Sequence, residues 1–402
     1  MSGLLKKKVD FSSVINPFYL YCIAFSFSLL MYLLGWCKLF PALSAGLILF
    51  LSITFILFII AGKVFVRKSQ VFLSFQPLNP KLTDIIFCLV LLLGVVNILY
   101  MGFIPVLDRS HNYREFGMPV IDPLFNSLSI FFSVFLFHSF LDTGKKRFLF
   151  YYVIILIIEL IIFRRSAIIW ILTSSSVLFL MYRQKIRLLL IVVVLISLPL
   201  FSYCFGLYGN FRSKISESFI TNELGASNTF RNSGISYNHF MTYLYVSSPL
   251  ANLQQNIDNR DKGYRGEKFK EFVYYCIIPA SITLRLEKPL NMLPPECFLI
   301  SSNLIAGSFY MISFFTLGWS GMIIMAVFLM SFILIVLFII RKWKTFGLET
   351  YSLLSVTVSL LIFSNFLNRL DVILMLFVYP VLFHFIYTRN SKIPELIKIQ
   401  EK

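Results

Sequence analysis

The stretch PALSAGLILFLSITFILFIIAGKVFV, residues 41–66, decides the class of fold. A single charged residue, Lys63, interrupts it, and it exceeds the roughly 20 apolar residues that a helix needs to cross a hydrocarbon core. Working outward, comparable runs occupy residues 18–34, 82–103, 123–141, 148–163, 166–182, 186–205, 319–340, 353–367 and 372–387. The expectation is an all-α polytopic integral membrane protein with about ten spans. Composition agrees, because 58% hydrophobic and 14% charged residues in a chain of 402 leave too little polar surface for a soluble globule.

Basic residues set the orientation. Lys6, Lys7 and Lys8, then Arg67, Lys68 and Lys81, Lys145 to Arg147, Arg183 with Lys185 and Arg187, Arg341 to Lys344, and finally Arg389, Lys392 and Lys398 fall at alternate connections. This places both termini in the cytoplasm and residues 206–298 outside it. The same clustering against anionic lipid accounts for the net charge of +17 without invoking nucleic acid. The chain divides into a membrane bundle over 1–205, a large outer loop over 206–317 and a second bundle with a cytoplasmic tail over 318–402. Residues 297–315 are long enough to cross, but they carry Ser301, Ser302, Asn303, Gly307, Ser308 and Ser313, and a crossing there would reverse the sidedness of every later basic cluster. The expectation is a re-entrant or interfacial helix bordering the site. Two further amphipathic stretches, 237–257 and 268–282, lie in the loop, the first with Phe240, Leu244 and Leu250 turned inward.

The chemistry is sought among positive charges that break the inside rule, nearly all of them Arg. These are Arg109 and Arg114 in DRSHNYREFG, Arg164 and Arg165 at the tip of an apolar hairpin, Arg212, Arg231, Arg260, Arg265 and Arg285 in the loop, and Arg369 beside Asp371, where local pairing is the simpler reading. Guanidinium groups match phosphate oxygens bidentately and stay charged, so they suit a lipid-anchored pyrophosphate. His239 and His111 are the external histidines able to act as a base, whereas His138 and His384 lie in spans and read as packed. Glu159 is almost the only charge inside a span. The loop carboxylates show no metal-ligand spacing and no phosphate-cradling glycine loop is present, so neither a metal nor another cofactor is expected. Tyr203, Tyr208, Tyr237, Tyr243, Tyr245 and Tyr264 with Asn210, Asn228, Asn232 and Asn252 read equally as a sugar-binding surface or as an interfacial belt. Cys276 and Cys297 read as free thiols in preference to a disulfide.

Through GLYGNFRSK at 206–214, TYLYVSSPLANLQQNI at 242–257, IPVLDRSHNYREFG at 104–117, the Arg164 and Arg165 turn, and LGWSG at 317–321, the chain resembles the O-antigen or oligosaccharide repeat-unit polymerases, the Wzy family. The resemblance implies a GT-C-like architecture in the bacterial inner membrane. It also implies metal-independent transfer of a growing glycan from undecaprenyl pyrophosphate to a repeat unit on a second such lipid at the periplasmic face, with a chain-length regulator as partner. On this sequence Arg164, Arg165 and Arg212 would hold pyrophosphate, and Arg109, Arg114, Arg231 and Arg285, with Asn210, Tyr243 and Tyr245, would hold phosphate or glycan. His239 or Glu223 would be the base. The alternatives are an O-antigen ligase, disfavoured because His239 stands alone in the loop, and a lipid-linked oligosaccharide flippase, disfavoured by the scarcity of charge inside the spans.

Overall fold

The apolar runs fold as helices whose ends follow from local chemistry. The computed structural model describes residues 8–10, 15–66, 78–108, 116–183, 185–213, 222–259, 268–287, 289–290, 292, 295–343 and 346–388. In chain order its principal helices are α1 (Pro17–Leu33), α2 (Ala45–Val66), α3 (Pro80–Met101), α4 (Ile121–Thr143), α5 (Lys146–Ile161), α6 (Arg165–Arg183), α7 (Leu188–Ser213), α8 (Tyr237–Asp258), α9 (Met311–Leu317), α10 (Trp319–Trp343), α11 (Gly347–Leu360) and α12 (Leu370–Thr388). Asn16 and Asn79 cap α1 and α3, accepting from the Tyr19 and Lys81 amides, and each is followed by a proline at the first helical position. There the missing N–H costs nothing and the fixed φ favours the helix. Gly102 and Gly144 end α3 and α4 in the left-handed conformation.

Among the described residues six helices, α2, α3, α4, α6, α10 and α12, are long and apolar enough to cross a bilayer. Large apolar side chains stay exposed along α1, α2, α3, α5 and α10, among them Leu30, Leu49, Ile85, Phe150 and Phe338. Stripes of this kind would be a liability in water and are the expected surface in lipid. The protein is therefore a helical membrane protein. Its strand content among the described residues is a ribbon of Lys8–Asp10 paired antiparallel with Lys185–Arg187 and one isolated bridge, Cys37 to Ala226.

The chain forms two compact units that interleave along the sequence: residues 1–64, 184–331 and 358–369 in the first, and 65–183, 332–357 and 370–402 in the second. In the first unit α8 is the central element. It packs on α7 and α1 and buries Phe240, Leu244 and Leu250 completely. Gly206 lets α7 approach so closely that a Cβ there would strike the Asn238 carbonyl. The connection after α1 pairs with residues 225–227 through Lys38 N–H to Gly225 O and Ser227 N–H to Trp36 O, both 2.7 Å, and seals a cluster of Trp36, Phe40, Phe230, Phe240 and Tyr243. In the second unit α4 is the hub: 78% of its apolar window is buried, against 33% for α3. That burial explains why α4 can carry so many polar residues: they face protein, not lipid.

Three expectations change. Residues 297–315 do not form a re-entrant helix; they run irregularly to Tyr310 and only then enter α9. The backbone there is satisfied by side chains instead of by helix bonds. Asn252 Nδ2 donates to Leu304 O and Ala306 O at 2.6 and 2.7 Å, its Oδ1 accepts from Ile300 N–H at 2.9 Å, and Asn256 brackets Phe298 from both sides. Residues 268–282 are not one amphipathic helix either. A helical turn at Lys268–Phe272 widens into a π-helix at Val273–Ile277 and stops at Pro279, before a separate helix at Ala280–Leu286. Finally, α7 continues through residue 206 to Ser213, so the outer loop begins later than the apolar run ends.

Candidate functional site

The tip of the α5–α6 hairpin, in the second unit, is tightly built. Phe163 takes a left-handed conformation (φ 60°) unusual for a bulky side chain, and it swings the chain so that Arg164 points back to the start of α4. There the Arg164 guanidinium pairs with Asp122 and lies over the Phe125 ring, 5.1 Å from its centre. Gly117, at φ 125°, leaves space that a Cβ would fill against Asp122. Arg165 opens α6 and is 9% exposed. Asp122 is the partner that sequence reading missed. Its signal was an acid immediately before an apolar run, but nothing local brings residue 122 to residue 164.

Below the tip α4 carries a row of buried polar contacts in the same unit. Asn126 Nδ2 donates to Asp371 Oδ2 at 2.6 Å, and Asp371 Oδ1 also accepts from the Val372 amide at 3.0 Å. Ser129 Oγ donates to Glu159 Oε1 at 2.6 Å, and the Ser127 and Tyr379 hydroxyls meet at 2.8 Å. Toward the other end of α4, His138 Nδ1 lies 2.7 Å from Glu349 Oε1, with both side chains almost fully enclosed. The expectation that Glu159 is almost alone inside the spans is thus corrected: Asp371, Glu349 and His138 are buried as well. Glu349 was missed because α11 begins before its apolar run, and Asp371 because Arg369 beside it offered a simpler partner; Arg369 stacks on Phe366.

In the first unit the α7–α8 interface brings together four of the expected residues, Asn210, Tyr203, His239 and Tyr245. Asn210 Nδ2 donates to Asn238 Oδ1 at 2.8 Å, and the neighbouring His239, half-buried, sets Nδ1 3.1 Å from Ser202 Oγ. Thr242 Oγ1 donates to the Ser202 carbonyl at 2.7 Å, and the Tyr203 ring lies 5.8 Å from the imidazole. Tyr245 packs edge-on against Phe205, while Tyr243 is 2% exposed within the aromatic cluster, with no ring face open to a sugar. No family model, curated protein or solved structure matches this chain.

The other expected residues separate. Arg231 supports its own turn, donating from Nε to Ala226 O at 3.2 Å and from Nη2 to Asn222 Oδ1 at 3.0 Å. Glu223 and Arg285 are exposed. Arg109 and Arg114 lie outside the described residues, and Arg212 is described only as part of α7. Cys276 and Cys297 are free thiols, and burial pushes the Cys297 thiol up to about 12, so neither is a ready nucleophile.

Proposed function

We propose that this protein is a multi-pass glycosyltransferase that polymerises oligosaccharide repeat units carried on undecaprenyl pyrophosphate, acting on the outer face of the bacterial inner membrane without a metal. The observation that carries the reading is the buried Arg165 in the first turn of α6, directly after the ion-paired Arg164. A helix N-terminus already holds partial positive charge and favours anions. Cations placed there gain most from an anionic ligand, and a diphosphate leaving group supplies that charge as it departs. His239, held through Nδ1 beside Ser202, keeps Nε2 for the acceptor hydroxyl and is the preferred base over the exposed Glu223.

A second reading, a lipid-linked oligosaccharide flippase, is favoured by the buried carboxylates and histidine along α4, since ionisable groups inside membrane helices commonly mark transport pathways. Glycan banding in a strain lacking the gene separates the two. Arg165→Ala and His239→Ala should leave the single-repeat product and abolish the polymer ladder, with the protein still inserted, and Arg165→Lys should restore the ladder only in part because it lacks the bidentate fork. Unchanged ladders from both alanine variants would sink the polymerase assignment. Loss of single-repeat product together with the ladder would select the flippase, or the related ligase.

A further inference from the structure

We propose that Glu159, with Ser129, forms a proton-binding site inside the membrane, one that takes up and releases a proton without rearrangement of the fold. The inference stands whichever reading of the function holds. Glu159 is fully buried on α5. Its Oε1 receives the Ser129 hydroxyl at 2.6 Å, and its Oε2 has no hydrogen-bond partner among the described residues. A carboxylate so enclosed, with one donor and no paired cation among the described residues, is costly, so the site is built for a group that gains a proton.

Ser129 supplies the means. Its oxygen lies 2.6 Å from Glu159 Oε1 and 3.0 Å from the Asn126 carbonyl, so its single proton has two acceptors within reach. When Glu159 is ionised, the hydroxyl donates to the carboxylate. When Glu159 is protonated on Oε1, that new O–H donates to Ser129 Oγ, and the serine turns its own proton to the Asn126 carbonyl. Both protonation states are hydrogen-bonded with the heavy atoms in place. The same turn of α4 leads on to Asp371, because the Asn126 side chain donates to that carboxylate at 2.6 Å. Asp371, taking two N–H donors, is arranged as a fixed acceptor and Glu159 as the exchanging one.

The charged groups on elements around this pair lie toward the ends of the helices. Asp122, Arg164 and Arg165 stand at the hairpin tip, and His138 with Glu349, and Asp84 with Arg147 at 3.6 Å, lie toward the other end. The Asp122–Arg164 pair at the tip is partly exposed.

The test uses the full-length protein in detergent, a lipid-soluble carbodiimide, which attacks only a protonated carboxyl, and peptide mass spectrometry. Glu159 should be modified in acid buffer and progressively spared as the buffer is made alkaline, with labelling at that peptide absent in Glu159→Gln. Infrared difference spectra between the same buffers should show a carboxylic C=O band that vanishes in Glu159→Gln, shifts in Ser129→Ala and returns to its original frequency in Ser129→Thr. The Ser129 variants keep the carboxyl, so the result does not depend on Glu159→Gln folding. Labelling of Glu159 that is equal at every pH, or absent at every pH while the protein elutes as a folded species, would overturn the proposal, as would a C=O band insensitive to Ser129.

Discussion

Asn252 commits its whole carboxamide to one segment of chain: both Nδ2 protons go to the Leu304 and Ala306 carbonyls and Oδ1 takes the Ile300 amide. In this way a side chain on α8 does for residues 300–306 what a neighbouring strand does in a sheet. Replacing it with alanine strands three backbone groups, the buried Leu304 carbonyl and the half-buried Ala306 carbonyl and Ile300 amide, each costing on the order of 1–3 kcal/mol where no water reaches it. Asn252→Ala should therefore lower the thermal unfolding midpoint in detergent and open Phe298 to chymotrypsin, with Asn256→Ala doing the same more mildly because Phe298 is its main partner in the segment. Equal protease resistance in wild type and Asn252→Ala would show that the segment is held by something else. The residue types were legible beforehand and the partnership was not. Asn252 read as one amide in a sugar-binding surface, since sequence gives a polar side chain no address. The same holds for Asp122 with Arg164 and for Asn126 with Asp371, pairs that meet only because separate helices fold together.

At the scale of elements, legibility followed the length of the apolar period. Helices α1 to α7, α10 and α12 could be read off runs of apolar residues because burial in lipid needs no particular partner. The stretch that became α8 was legible for a different reason. Its helical period placed Phe240, Leu244 and Leu250 on one face, and that face is buried. What failed was residues 297–315, where counting apolar residues predicted a helix. Asn252 and Asn256 offered the backbone better partners, and tertiary hydrogen bonds overrode the local pattern. The packing of α8 on α7 leads to a prediction of its own. Because a Cβ at residue 206 would meet backbone and not a flexible side chain, Gly206→Ala must push the helices apart. The expected cost is about 1–3 kcal/mol, read as a lower unfolding midpoint, and the contacts of Asn210 with Asn238 and of His239 with Ser202 should loosen with it. Gly144→Ala makes the control: no atom lies near its Cβ, so only the strain of its positive φ is added. A Gly206→Ala protein as stable as wild type would mean that the two helices do not depend on this approach.

For the molecule as a whole, sidedness follows from where basic residues sit on the helices. Lys63, Arg183, Arg341 and Lys342 lie in the last turns of α2, α6 and α10, where the helix dipole favours cations, and Lys81, Lys146 and Arg147 stand at the starts of α3 and α5. We propose that each of the long helices crosses the membrane, so that these ends, taken in order, fall on one side of it, the side that the positive-inside rule assigns to the cytoplasm. The irregular course of residues 297–310 matters here, because the alternation is kept when, as among the described residues, no span-length helix lies between α8 and α10. Reporter fusions truncated at successive points test the whole scheme. Alkaline phosphatase, which needs the oxidising exterior, should be active when fused after Ser233 and again after Gly318, and a fluorescent reporter that folds only in the cytoplasm should report fusions after Gly144 and after Trp343. The informative comparison is between the fusions at 233 and 318. Activity at the first and fluorescence at the second would mean that the chain crosses the membrane between them, placing the Arg341 cluster outside and reversing the orientation of α10 to α12. Agreement between the two keeps both ends of the outer loop, with His239 between them, on the same face of the membrane. The polymerase reading requires that arrangement, since donor and acceptor lipids both present their sugars on one side.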